Sequence, residues 1–215
     1  GEWKAMVADE AARTAFAKNI KTVLEKNKLD GIDLDFEWAE NEKEYKDYSL
    51  AILKMREVLG DKYLFSVSLH PVCYKISKEA IEAVDFISLQ CYGPSPVRFP
   101  IEKYCSDIQM VLEYGIPKEK LVAGVPFYGV TKDNSKKTEA YFNFVQNGLV
   151  TSPAQNEVIY QGDTYVFDGQ DNIRIKTRYA KEQKLKGMMS WDLATDLPLS
   201  DSRSLLKTMT EELRE

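Results

Sequence analysis

The sequence has 215 residues, a net charge of -5 and 44% hydrophobic residues. That length can bury a substantial core, the hydrophobic share excludes a disordered chain, and the acidic balance argues against a nucleic-acid partner. There is no run of about 18 apolar residues that could span a membrane. The three cysteines, Cys73, Cys91 and Cys105, are too few for a disulfide framework and lack metal-ligand spacing.

Residues 9–28 read as a helix with Phe16, Ile20, Val23 and Leu24 on one face. Residues 29–38 read as a strand, followed by a helix over 41–59 with Tyr45, Tyr48, Ile52, Met55 and Leu59 on one stripe. The run LFSVSLH at 64–70 is a strand stopped by Pro71. Ser77 caps a short helix through Val84. DFISLQCY at 85–92 is a strand that runs into Gly93-Pro94, a breaker. Pro100 opens a helix to about residue 114. LVAGVPF at 121–127 is a strand, and 135–147 reads as a helix ended by Gly148. Residues 157–168 read as a hairpin turning at Gly162-Asp163. A helix over 172–184, a strand over 187–191 and a helix over 201–213 complete the chain.

Strands therefore alternate with helices five times, the pattern of a parallel sheet covered by helices. Either an open doubly wound sheet or a closed barrel satisfies it. No glycine-rich phosphate loop follows a strand, which weakens the nucleotide-binding sheet. In both architectures functional groups collect at the carboxyl ends of the strands. Glu37, His70, Tyr92, Tyr128 and Trp191 each close one.

The run DGIDLDFEW at 30–38 carries the densest chemistry. Residues two apart share a face of a strand, so Asp33, Asp35 and Glu37 point one way and Ile32, Leu34 and Phe36 the other. In a barrel the three carboxyls point inward. Neighbouring buried carboxyls cannot all ionise, so one is expected to stay protonated as a general acid. Three readings compete: an edge strand with its acids in solvent, a magnesium site, and acid catalysis on a glycosidic bond. The aromatic residues at the other strand ends favour the third. Cys91 reads as core, and Lys132 to Lys137 as a solvated loop or helix face.

These residues resemble glycoside hydrolase family 18, the chitinases and endo-β-N-acetylglucosaminidases. The family signature D-G-x-D-x-D-x-E stands complete from Asp30 to Glu37. LFSVSLHP, VDFISLQCYG, KLVAGVPFYG and LKGMMSWD are similar, in order, to the family's fifth to eighth barrel strands. Two local departures are visible. The sixth strand has Gln90-Cys91-Tyr92-Gly93 where many members have Met-x-Tyr-Asp, and Val130 stands where many have arginine.

The resemblance implies a (β/α)8 TIM barrel, this α/β chain covering about strands four to eight. A small insertion at 150–170 would lie between strands seven and eight of a single catalytic domain over 1–215. Gly1-Glu2-Trp3 is similar to the tail of the third strand, with the preceding strands expected from a parent chain.

The resemblance also implies site roles. Glu37 protonates the glycosidic oxygen, Asp35 orients the substrate's acetamido group, and Asp33 shares a proton with Asp35. Tyr92 and Gln90 hold the acetamido oxygen, and Trp191 stacks on the sugar. Tyr128 and Asp30 complete the substrate-binding set. No cofactor or metal is implied. The expected partner is an oligosaccharide or polysaccharide containing N-acetylglucosamine, met outside the cytoplasm in a secreted, periplasmic or surface-bound form.

Overall fold

The computed structural model describes residues 1–133 and 135–214. Asn134, within the Lys132 to Lys137 cluster, lies outside the described residues. The chain divides into two units, one formed by Gly1–Leu89 with Val111–Leu121, the other by Gln90–Met110 with Val122–Glu215.

In the first unit three strands run parallel: β1 (Gly31–Asp35), β2 (Leu64–Leu69) and β3 (Phe86–Leu89). The register runs from Gly31↔Leu64 to Asp35↔Ser68, and from Ser66↔Phe86 to Leu69↔Leu89. The helices are α1 (Glu2–Ala8), α2 (Glu10–Asn27), α3 (Glu42–Leu59) and α4 (Lys78–Ala83). Short polar side chains start three of them. Asp9 Oδ1 accepts from Ala12 N–H at 2.7 Å, Asn41 Oδ1 from Glu44 N–H at 3.0 Å, and Ser77 Oγ from Ala80 N–H at 3.2 Å. On α3 four of the five residues of the expected stripe, Tyr48, Ile52, Met55 and Leu59, are buried and Tyr45 is half-buried; each buried aliphatic side chain contributes about 1.5–3 kcal/mol of transfer free energy.

Two expectations fail here. Gly1-Glu2-Trp3 is not the end of a strand, because residues 2–8 form α1. This helix buries Val7 and sets the Trp3 ring edge-on to Phe16 and Phe36, at 5.4 and 6.2 Å. On α2 the buried residues are Ala17 and Leu24, whereas Val23 is exposed. Residues seven apart return to one face of a helix, and Val23 stands about 100° away from Leu24.

The second unit holds β4 (Leu121–Pro126, its first residue counted with the first unit) and β9 (Gly187–Trp191). They are parallel, from Val122↔Gly187 to Pro126↔Trp191. A separate antiparallel sheet has the order β6-β5-β8-β7. Its strands are β5 (Tyr128–Thr131), β6 (Thr138–Ala140), β7 (Glu157–Tyr160) and β8 (Asp163–Val166). Its helices are α6 (Tyr141–Gln146), α7 (Gln170–Glu182) and α8 (Leu205–Arg214). Helix α5 (Ile101–Tyr114) precedes β4.

The helix expected over 135–147 therefore starts late, at Tyr141, and keeps its expected end before Gly148. Residues 138–140 instead pair with 128–130, and ladder bonds to β5 outweigh a modest helix preference. The hairpin is present but turns at Gln161-Gly162, both with positive φ (51° and 88°), as a tight two-residue hairpin requires. It forms two of the four strands in a sheet that begins at Tyr128. Lys176 and Asp168 form a fully buried ion pair at 2.5 Å, with the Lys176 ammonium 5.4 Å from the centre of the Tyr104 ring.

Candidate active site

β1 alternates as its sequence requires. Leu34 and Phe36 are buried, while Asp33, Asp35 and Glu37 are exposed on the opposite face. The burial expected of these acids is not seen. Among the described residues β1 pairs only with β2, and its acidic face opens to solvent. The oxygens of Asp33 are instead claimed by β2: Ser66 Oγ donates to one at 2.5 Å and Ser68 Oγ to the other at 2.7 Å. Register places these serines there, since Asp33 lies opposite Ser66 and Asp35 opposite Ser68. The alternation Ser66-Val67-Ser68 was the sequence signal for this anchor.

Behind the strand, the Tyr48 hydroxyl donates to Leu34 O at 3.1 Å. Burial pushes this phenol well above its ordinary pKa, and the charges of Asp33 and Asp35 add to the rise. The phenol therefore remains a neutral donor.

Gly31 occupies its place for lack of space. A Cβ there would stand 2.1 Å from Leu64 O, so only glycine lets β1 approach β2 closely. Asp30 lies exposed before the strand, and its carbonyl accepts from Leu64 N–H at 2.9 Å. It stands at the opposite end of β1 from Glu37, roughly 20 Å away along an extended chain. The structure does not bring these two carboxylates together.

The strand itself ends at Asp35, earlier than Trp38, so Glu37 sits in a connecting segment. Trp38 lies over the buried His70 ring, their centroids 4.1 Å apart. Cys73 is buried beside this segment. Burial raises its pKa, and the charges of Glu37 and Asp35 raise it further.

The remaining site residues belong to the second unit. Gln90 and Tyr92 follow β3, Tyr128 opens β5, and Trp191 closes β9. Tyr92 is 5% exposed; its hydroxyl donates to Met189 Sδ at 3.4 Å, and its ring meets that of Tyr128 edge-on at 6.4 Å. Trp191 is 58% exposed, a large apolar face open to a ligand. Tyr128 and Trp191 line one cleft of about 280 Å³ with Thr138, Glu139, Asp192 and Thr195. Sequence reasoning missed these last four; Thr138 and Glu139 reach the cleft only because β6 pairs with β5, and Asp192 and Thr195 lie in the segment after β9. Asp192 Oδ1 is buried with no hydrogen-bond partner among the described residues. Cys91 is buried, as its pattern implied.

Comparison with known proteins agrees with this arrangement. The model of the glycosyl hydrolases family 18 matches residues 1–196. A probable chitinase 2 of Drosophila melanogaster is 23% identical over 258 residues, covering 90% of this chain and 53% of that protein. Among solved structures, a GH18 chitinase ChiB from Flavobacterium johnsoniae is 27% identical with a TM-score of 0.80, covering 98% of this chain and 68% of that one. A chitinase from Bacteroides thetaiotaomicron is 20% identical with a TM-score of 0.86, covering 99% and 72%. This chain spans about half the length of the curated relatives it matches. The fold is the TIM-barrel fold of those chitinases, and with its complete acidic strand the chain belongs to the glycosyl hydrolases of family 18.

Proposed function

We propose that the protein hydrolyses β-1,4 bonds next to N-acetylglucosamine in chitin-type oligomers, with retention of configuration. The observation that carries this reading is the acidic run along and just beyond β1: Asp33 is held by two serine hydroxyls, Asp35 is exposed at the carboxyl end of the strand, and Glu37 is exposed two residues further on.

In this mechanism Glu37 gives its proton to the glycosidic oxygen as the bond from that oxygen to C1 breaks. The carbonyl oxygen of the substrate's own acetamido group attacks C1 from the opposite face and closes a cyclic oxazolinium ion. No second enzyme carboxylate serves as nucleophile, which sets this scheme apart from the two-carboxylate one. Asp35 accepts the acetamido N–H and offsets the positive charge that develops. Glu37, now a carboxylate, takes a proton from water as that water attacks C1 and reopens the ring. Two inversions give retention.

Asp33 acts behind Asp35, where its serine anchors fix its orientation. The Tyr92 hydroxyl holds the acetamido oxygen in line. Trp191 stacks on the apolar face of the sugar, with Tyr128 and Gln90 beside it. Asp30 starts the β1 ladder and stays away from the substrate. A polymeric substrate places the enzyme outside the cytoplasm.

The test is mass spectrometry of products from N-acetylglucosamine oligomers mixed with a high-mannose glycopeptide. Shortened oligomers support the proposal. A glycopeptide trimmed to one sugar makes the protein an endo-β-N-acetylglucosaminidase, and tight binding with no cleavage by the full-length protein makes it a lectin. Glu37→Gln should lower turnover by about 10²–10⁴-fold, the usual contribution of a general acid, and full turnover by that variant would sink the mechanism.

A further inference from the structure

Glu37 lies two residues beyond the end of β1, in a segment (36–40) that belongs to neither helix nor strand. No β1–β2 ladder bond fixes it, yet a proton donor must stand within hydrogen-bond reach of its target. The residues around it are held instead. Phe36 stacks on Tyr48 with centroids 4.8 Å apart. Glu40 N–H donates to Glu44 Oε2 at 2.8 Å. Between them, Ala39 N–H donates to the sulfur of Cys73 at 3.2 Å, across 34 residues of sequence.

Cys73 is itself fixed. Its N–H donates to His70 O at 2.6 Å, and His70 N–H donates to Cys73 O at 3.2 Å. Within that four-residue turn, Val72 N–H donates to His70 Nδ1 at 3.3 Å, and Val72 O accepts from the Tyr45 hydroxyl at 3.3 Å. The turn stands directly on the end of β2, so it carries the rigidity of the sheet to the segment bearing Glu37. Ala39 is 3% and Cys73 2% exposed. Water is thus shut out from both ends of this bond, and the Ala39 N–H depends on the thiol for an acceptor. Burial and the charges of Asp35 and Glu37 keep the thiol protonated. It therefore adds no negative charge beside the acids.

We propose that Cys73 is a positioning residue for Glu37: its buried sulfur, acting through the Ala39 N–H, sets where the Glu37 carboxyl stands. This inference rests on the reading of Glu37 as proton donor. It assigns Cys73 no contact with the sugar.

The experiment uses the full-length protein and three variants. Cys73→Ala removes the acceptor, Cys73→Val removes it while filling the space, and Cys73→Ser keeps an acceptor. With chito-oligosaccharides, Cys73→Ala and Cys73→Val should lose about 10- to 100-fold in kcat, the scale of a displacement near 1 Å, with KM within about twofold. Cys73→Ser should recover most of that loss. The Ala39 amide should exchange with solvent faster in the alanine and valine variants, and the ¹³C titration of the Glu37 carboxyl should move with it. A purely structural cysteine would instead lower the folded fraction and leave kcat per folded molecule and the Glu37 titration unchanged, overturning the proposal. If the wild type cleaves nothing, the hydrolase reading fails, while Ala39 exchange and Glu37 titration still decide the positioning role. If Cys73→Ala does not fold, the valine and serine pair answers the same question.

Discussion

Replacing Gly31 with alanine tests how the strand is built and what it positions. The new Cβ would lie 2.1 Å from Leu64 O and 2.7 Å from Leu64 Cβ. A carbon normally approaches a carbonyl oxygen no closer than about 3.3 Å, so the start of β1 must retreat by about 1 Å. That retreat strains or breaks the 2.9 Å bond from Leu64 N–H to Asp30 O. The lost bond costs about 1 kcal/mol, and residual overpacking about 1–3 kcal/mol more. The less flexible unfolded chain returns about 0.4–1 kcal/mol.

The net is about 1–3 kcal/mol. For a chain of this size that lowers the melting temperature by roughly 3–10 °C. Turnover should fall further than stability implies, because a shift of about 1 Å at a reacting group costs about 10²-fold. Differential scanning calorimetry and oligosaccharide hydrolysis on the same sample supply both numbers. A Gly31→Ala protein with wild-type melting and wild-type turnover would show that β1 has room to spare, and the close-approach argument would fall.

Trp191→Ala should raise KM by about tenfold, equivalent to about 1.4 kcal/mol, and leave melting nearly unchanged because the ring is mostly exposed; calorimetric titration with a chito-oligosaccharide checks the loss. Lys176→Met should destabilise the protein by about 3–5 kcal/mol by leaving Asp168 buried without its partner, and the double variant Asp168→Asn/Lys176→Met should recover much of that; urea melts of the single and double variants decide it. Arg203 holds the Asp201 carboxyl down from 3.8 to about 2. A depressed carboxylate contributes stability above its unfolded pKa, which is lost as pH falls through the folded value. The loss of stability on acidifying from pH 3.8 to about 2 should therefore be smaller in Asp201→Asn. The effect is slight because the pair is screened by solvent.

Parts of this structure could be read directly. The stripe of Tyr45, Tyr48, Ile52, Met55 and Leu59 is local, and the helix it implies is α3. The two-residue alternation at 32–37 put the three acids on one face, and they are there. Their exposure could not be read, because it depends on what lies beside β1. Helix α1 was obscured by its short length and by a likeness of three residues to a strand end. Strand β6 was missed because Thr138-Glu139-Ala140 has no apolar alternation and becomes a strand only through its partner. The bond from Ala39 to Cys73 joins residues 34 apart, beyond any spacing rule. The serines facing Asp33 were within reach, since Ser66 and Ser68 alternate in step with the acids they hold.

The residues proposed for proton transfer, with their serine, tyrosine and cysteine supports, all lie between 30 and 73. Those proposed to grip the sugar lie between 90 and 192. Inheritance can therefore act on the two sets separately. Exchange of the 128–166 segment with that of a related protein replaces Tyr128 and the wall formed by Thr138 and Glu139, yet alters no residue of the acidic strand or its props. Choice of glycan can drift by loop replacement while the bond-breaking chemistry is passed on intact, and a laboratory graft follows the same seam.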